Sequence, residues 1–133
     1  MDTIGSLDRQ RRIDLTRTVM RILDDWGIAA EHQVLLLGLP RETRARRLRQ
    51  FRSDTPFPEE DELLVRVHYL LSIQNAIRTY FPHNAVGSNY WVTTRNIVLG
   101  RRTPLEVMID DGLPGMRRIL DILNGEVVQW GED

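Results

Sequence analysis

Six arginines fall within residues 41–52 (Arg41, Arg44, Arg46, Arg47, Arg49 and Arg52) against one acid, Glu42. A guanidinium fork bridges the acceptor edge of guanine or clamps a phosphate, so this density of arginine is a chemistry for binding anions. The stretch Gln33–Arg52 reads as a short helix, a turn at Gly38 and a second, arginine-rich helix, the anatomy of a helix-turn-helix DNA reader. Arg41, Glu42, Thr43 and Arg44 stand at the start of that second helix, where base edges are usually met. Arg47 follows Arg44 by three residues on the same face, and Arg46 and Arg49 flank it within reach of phosphates. The candidate DNA-binding set is therefore Arg41, Thr43, Arg44, Arg46, Arg47 and Arg49. A solvated arginine face or a protein-binding one has the same composition, and composition does not choose among the three.

Catalytic chemistry finds less to hold. The chain has no cysteine, which excludes disulfides, thiolate zinc sites, iron–sulfur clusters and cysteine nucleophiles. All 18 basic residues are arginine, so Schiff-base and phosphate-loop lysine chemistry are excluded too. The three histidines, His32, His68 and His83, lie far apart and form no metal-binding pair, and His68 reads as a core or interface residue. Asp24-Asp25 and Asp110-Asp111 are adjacent pairs on helices, where neighbours point in different directions and make no acid–base dyad. Gly112-Leu113-Pro114-Gly115 opens a helix without the spacing of a phosphate loop. The expectation is a protein that is not an enzyme, with no cofactor and no metal.

The 133 residues are 41% hydrophobic and 28% charged, enough for one domain or two very small ones to bury a core without a covalent staple. The net charge of −1 hides an asymmetry. Residues 1–52 carry 11 Arg against 7 acids (+4), and residues 53–133 carry 7 Arg against 12 acids (−5). An anion-binding front and an acidic back with another task fit that division. The longest apolar stretches, such as Val34–Leu37, fall far short of a membrane span, and the first residues do not read as a signal peptide. A soluble, cytoplasmic protein with no membrane partner is expected.

The elements that must hold these residues read as helices. Ser6 caps a first helix to Trp26, with Leu15, Val19, Ile22, Leu23 and Trp26 as one apolar stripe. A second helix covers about residues 30–37, burying Val34, Leu35 and Leu37. Gly38 turns the chain, Leu39 plugs inward, and Pro40 opens a third helix to Phe51 with Leu48 and Phe51 inward. Ser53–Pro58 breaks the pattern and divides the chain into 1–55, a helix-turn-helix part, and 56–133. The acids Glu59–Glu62 then lead a fourth helix to Phe81. Leu63, Val67, Leu70, Ile77 and Phe81 form its stripe, widened by Leu64, Leu71, Ile73 and Tyr80. So apolar a helix is the centre of the fold or the seam of a homodimer. Ser88 caps a short helix with Tyr90 and Trp91. Thr103-Pro104-Leu105-Glu106 is a capping box, its helix ends at Gly112, and Pro114 starts the last helix, which ends at Gly125. The class is all-α, a helix-turn-helix part coupled through a long central helix to a small helical part.

Tyr90-Trp91, then Asn96-Ile97-Val98-Leu99-Gly100-Arg101-Arg102-Thr103-Pro104-Leu105-Glu106-Val107-Met108, then Asp111-Gly112 and the apolar helix Met116–Leu123, resembles the toxin-binding domain of the Xre/MbcA/ParS antitoxins. Leu36–Arg41 through Arg46-Arg47-Leu48 is similar to the helix-turn-helix that precedes it in that family, and the likeness spans about residues 15–125. The chain departs from the usual pattern at Thr93-Thr94-Arg95, where many relatives carry a proline. The resemblance implies an antitoxin of a type II toxin–antitoxin pair that forms homodimers, covers the active site of a RES-domain toxin (one that consumes NAD or transfers ADP-ribose), and binds its own operator DNA. It makes 56–133 the toxin-binding and dimerisation part, and makes Asn124, Gly125, Glu126, Val127, Val128 and Trp130 the toxin-binding residues. Trp130 is an interface anchor or folds back onto the core. The alternative is a stand-alone helix-turn-helix transcriptional regulator without a toxin partner.

Overall fold

The structure is a computed structural model that describes residues 2–125, with side chains from residue 8 onward except at residue 85. Six α-helices follow one another: α1 (Asp2–Asp25), α2 (Ala30–Leu37), α3 (Ala45–Ser53), α4 (Asp61–Tyr80), α5 (Ala85–Trp91) and α6 (Pro104–Leu123), with a one-turn 3-10 helix at Ile97–Leu99 before α6. There are no strands among the described residues, and the all-α expectation holds. No helix among them is long and apolar enough to cross a membrane.

The core follows from one helix. Leu63, Val67, Leu70, Ile73 and Ile77 repeat along α4 at three- and four-residue spacing and are all buried. α6 packs along that helix most extensively, α1, α2 and α5 also touch it, and α3 lies on α1. Residues from both sides of residue 55 enter a single apolar cluster, from Val19 and Trp26 through Phe51 and Phe57 to Met108 and Ile119. The segment between α3 and α4 is strapped to α1. The Phe57 ring meets Phe51 edge-on at 4.9 Å, an arrangement worth about 1 kcal/mol beyond its buried area. Thr16, buried on α1, accepts a hydrogen bond from the Phe57 N–H at 2.9 Å while its own hydroxyl donates to the Arg12 carbonyl at 2.8 Å.

That polar pair corrects the expected α1 stripe. Thr16, not Leu15, faces inward, because only a hydroxyl answers the buried Phe57 amide, and Leu15 is left at the stripe's edge. α1 also begins at Asp2, ahead of Ser6. On α2 the fully buried leucines are Leu36 and Leu37, and Leu35 is half-buried. On α4 the widening residues Leu64 and Tyr80 are exposed and Phe81 is half-buried. His68 also faces solvent, not the core. α5 is capped by Asn84, whose side chain accepts from the Gly87 N–H at 2.9 Å, while Ser88 is buried one turn into the helix.

The end of α2 shows how sequence punctuation becomes tertiary structure. Gly38 takes a left-handed φ of 71°, the Gly38 N–H bonds to the Leu35 carbonyl, and the Leu39 N–H bonds to the Val34 carbonyl, both at 3.1 Å. This is a Schellman motif, and the apolar packing that accompanies it explains why Leu39 is buried. The Arg66 guanidinium of α4 reaches the same spot. Its Nη1 donates to the Leu35 and Leu36 carbonyls at 3.3 Å each. A positive charge there complements the dipole of α2, giving the Leu35 carbonyl a second donor beside the Gly38 N–H and the Leu36 carbonyl a partner. Gly38 leaves room for it: a Cβ on residue 38 would lie 2.8 Å from Arg66 Nε and force that side chain to shift.

The expected break at Gly112 is also present. It divides α6 with φ 64° and ψ −139°, a conformation closed to side chains with a Cβ, and Pro114 resumes the helix. Gly27→Ala and Gly38→Ala make a matched test of how α2 meets α4, since both residues have φ near +71° but residue 27 has open space around it. In urea unfolding, Gly27→Ala is expected to lose about 1 kcal/mol for the backbone alone. Gly38→Ala should lose measurably more, and the excess should disappear in an Arg66→Ala background.

Candidate functional site

The two helices of the predicted helix-turn-helix segment, α2 and α3, are joined by a longer connection than expected. α2 ends at Leu37 and α3 begins at Ala45, so Pro40 does not start the third helix. Pro40–Thr43 forms a tight turn closed by the Thr43 N–H on the Pro40 carbonyl at 2.9 Å, and Arg44 is extended (φ −91°, ψ 158°) as the residue preceding α3. The physical reason is that α3 is held down by Leu48 and Phe51 alone. One turn earlier stand Arg44 and Ala45, both exposed, which offer nothing to bury. Of the predicted DNA-binding set, Arg46, Arg47 and Arg49 are on α3, and Arg41, Thr43 and Arg44 are in the loop that leads into it.

Their neighbours sort these arginines. Arg41, Arg44, Arg46 and Arg49 are exposed, and none has an ion-pair partner among the described residues. Arg47 is exposed too, but its guanidinium lies over the Phe51 ring, 5.1 Å from the centroid. It covers the buried edge of α3 as well as facing solvent. Thr43 is half-buried.

Arg52, at the far end of the run, serves the fold. Its Nε and Nη2 grip the Asp24 carboxylate with two prongs at 2.8 and 2.9 Å, and Nη2 also donates to the Gln33 side-chain oxygen at 3.0 Å. Gln33 in turn donates to Asp24 and to the Ile28 carbonyl, at 2.9 Å each. These bonds tie the ends of α1 and α3 to the start of α2. Partial burial pushes the Asp24 carboxyl up, but the hydrogen bonds from Arg52 and Gln33 and the charge of Arg52 outweigh it. Asp24 is held below the usual carboxylate range. The network sets the angle at which α3 presents its outer face, and nothing in the spacing of Asp24, Gln33 and Arg52 announces it.

The C-terminal half is built from backbone punctuation. The Asn96 side chain accepts from the Val98 N–H at 2.9 Å and starts the 3-10 turn, and Gly100 ends it with φ 67°. Thr103 and Glu106 form the expected reciprocal box: Thr103 Oγ1 accepts from the Glu106 N–H at 3.0 Å, and Glu106 Oε1 accepts from the Thr103 N–H at 2.8 Å. The Thr103 N–H is the main cause that holds the Glu106 carboxyl below its ordinary value. The Asp110-Asp111 pair is engaged by one cation, with Arg102 at 3.4 and 3.5 Å. Trp91 is half-buried against the core.

Of the predicted toxin-binding residues, Asn124 and Gly125 are exposed at the end of α6. Glu126, Val127, Val128 and Trp130 lie outside the described residues. Asn124 forms the end of a shallow groove of about 320 Å³ between α4 and α6, lined also by Ser72, Asn75, Ala76, Thr79, Leu120 and Leu123. Among the described residues no three His, Asp or Glu side chains are grouped to hold a metal ion. Compared with family models, curated proteins and solved structures, the chain matches none of them.

The Asp24–Arg52 pair has a pH signature. Because the folded carboxyl titrates below its unfolded value of about 3.9, its stabilisation is fully present above that pH and is lost as pH falls through the lower folded value. Both side chains are partly exposed, which keeps the contribution near or under about 1 kcal/mol. Asp24→Asn is expected to lower stability by that amount at pH 7 and to converge with the parent once the pH has fallen below the depressed folded-state range of Asp24, as followed by circular dichroism across a pH series.

Proposed function

We propose that this protein is the antitoxin of a type II toxin–antitoxin pair, a cytoplasmic homodimer that binds and neutralises a RES-domain toxin and binds operator DNA through α2 and α3. What carries the reading is the ordered set Trp91, Asn96, Gly100, Thr103-Pro104-Leu105-Glu106 and Gly112. It resembles the family's toxin-binding pattern, and each polar or glycine member performs a separate backbone task. A motif made of caps and turns specifies a backbone shape more than a chemistry, as suits a protein that works by covering another protein's active site. The division of charge supports the same reading. An acidic C-terminal half meeting a site that binds a phosphate-bearing cofactor gains speed and orientation of encounter from opposite charge.

The DNA-binding component draws support from the exposed Arg41, Arg44, Arg46 and Arg49, which have no ion-pair partner among the described residues. That same surface favours a second reading, a helix-turn-helix regulator with no toxin partner, because it needs nothing from the C-terminal half.

Expressing the adjacent gene in bacteria with and without this protein, and following growth and cellular NAD, separates the readings. Arrest with altered NAD that this protein reverses is the expected outcome; arrest that it fails to reverse, or no arrest, leaves the regulator. In that assay, deletion of residues 126–133 or Trp130→Ala is expected to weaken rescue while the described helical core stays folded. Full rescue by the truncated chain would remove those residues from the neutralising surface. Replacing Arg41, Arg44, Arg46 and Arg49 together by Gln should weaken operator binding and spare rescue. The slope of log affinity against log salt should fall by about 0.9 for each phosphate that the substituted side chains no longer neutralise.

A further inference from the structure

The segment between α5 and α6 presents an apolar side chain in an unusual way. Asn96 and Arg102 close its base with an antiparallel bridge, the Asn96 N–H donating to the Arg102 carbonyl at 3.0 Å and the Arg101 N–H to the Asn96 carbonyl at 2.9 Å. Arg102 anchors that base to α6 through Asp110 and Asp111. Leu99 is buried beneath the loop, yet Ile97 at its crown is 86% exposed. Next to Gly100, Arg101 holds φ 69°, a conformation that a side chain of its shape seldom adopts. Arg95 and Arg101 are exposed beside the crown, and neither has an ion-pair partner among the described residues. Arg95 Nη1 donates to the Arg101 carbonyl at 3.1 Å, which closes the loop further, so the loop is a pinned apolar knob with two exposed guanidiniums beside it.

Elsewhere on the same chain is the converse surface. A shallow hollow between α1 and the start of α4 is lined by Leu15, Thr16, Phe57 and Leu64, with Arg12 and Glu59 paired at its edge. Val65 is exposed on the next position of α4. Glu60 and Asp61 stand at the same helix start, exposed and without ion-pair partners among the described residues. The two surfaces match in kind: an apolar knob flanked by two exposed cations, and an apolar hollow flanked by two exposed carboxylates, none of them in an ion pair among the described residues.

We propose that the Ile97 knob of one copy of this chain seats on the Leu15–Leu64 hollow of a second copy, with Arg95 and Arg101 facing Glu60 and Asp61. The interface joins unlike surfaces, so a closed dimer makes it twice, once in each direction. It rests on the homodimer component of the proposed function and is independent of toxin and DNA.

Sedimentation of the full chain over a concentration series, at low and high salt, tests it. Association that weakens as salt rises is expected, and Ile97→Glu and Leu64→Glu should each sediment as monomers. The decisive sample is a mixture of these two variants, because one keeps an intact hollow and the other an intact knob. The mixture is expected to re-associate in part. If the variants are monomeric alone and stay so when mixed, the knob and hollow do not meet each other and the inference fails. If either variant associates like the parent, the inference fails while the homodimer stands. If the parent is itself a monomer throughout, the homodimer fails with it.

Discussion

One guanidinium joins the two halves of this molecule. Arg66 projects from the central helix into the gap left by the missing side chain of Gly38, reaches the last carbonyls of α2, and has Gly112 of α6 as a further neighbour. Its side chain is only 13% exposed. Such a charge is tolerable because the end of a helix is a concentration of negative partial charge and because Glu62, one turn back on α4, lies 3.4 Å away. The consequence is positional. The turn that leads into the arginine-rich helix is held by a side chain that also passes near the kink of the last helix. Gly38 leaves the room that this side chain occupies, whereas Gly112 is required by its own backbone conformation.

The arginines divide by what they touch. Arg12, Arg17, Arg52, Arg66 and Arg102 are tied to carboxylates or carbonyls and act as joints of the fold. Arg41, Arg44, Arg46 and Arg49 are not tied to carboxylates, and they cluster at the loop and outer face of α3. With no lysine in the chain, one residue type performs both tasks, and composition cannot separate them. The separation comes from geometry. A planar fork finds a fold partner only where a carboxylate or a helix end is fixed within reach, and the outer face of α3 has neither.

The helices themselves were readable in advance because their signals are local. Apolar spacing along α4 identified five residues that are buried, and Gly38, Gly100, Gly112 and the Thr103–Glu106 box each sit where their backbone preferences required. The candidate site was readable as a set of residues but not as an arrangement. Pro40 looks like a helix start and is a turn, since what decides where α3 begins is the absence of anything to bury before Leu48. Asn84, four residues earlier in the chain, takes the cap expected of Ser88 because its side-chain oxygen reaches the Gly87 N–H, and Ser88 is buried one turn in.

What the sequence by itself determined is the class of structure and its punctuation: helices of a given length and face, ended by residues whose φ or hydrogen bonds permit nothing else. These depend on neighbours three or four positions away, so they survive in any one-dimensional reading. What only the tertiary structure decided is which polar side chains belong to the inside and which face outward. Thr16 is buried because Phe57, 41 residues on, brings an amide to it. Arg66 is half-buried because it meets a helix end 31 residues before it. His68, Leu15 and Leu64 are outside because other residues filled the core first. Burial of a polar group is set by whether a partner arrives from elsewhere in the chain, and no spacing records that arrival.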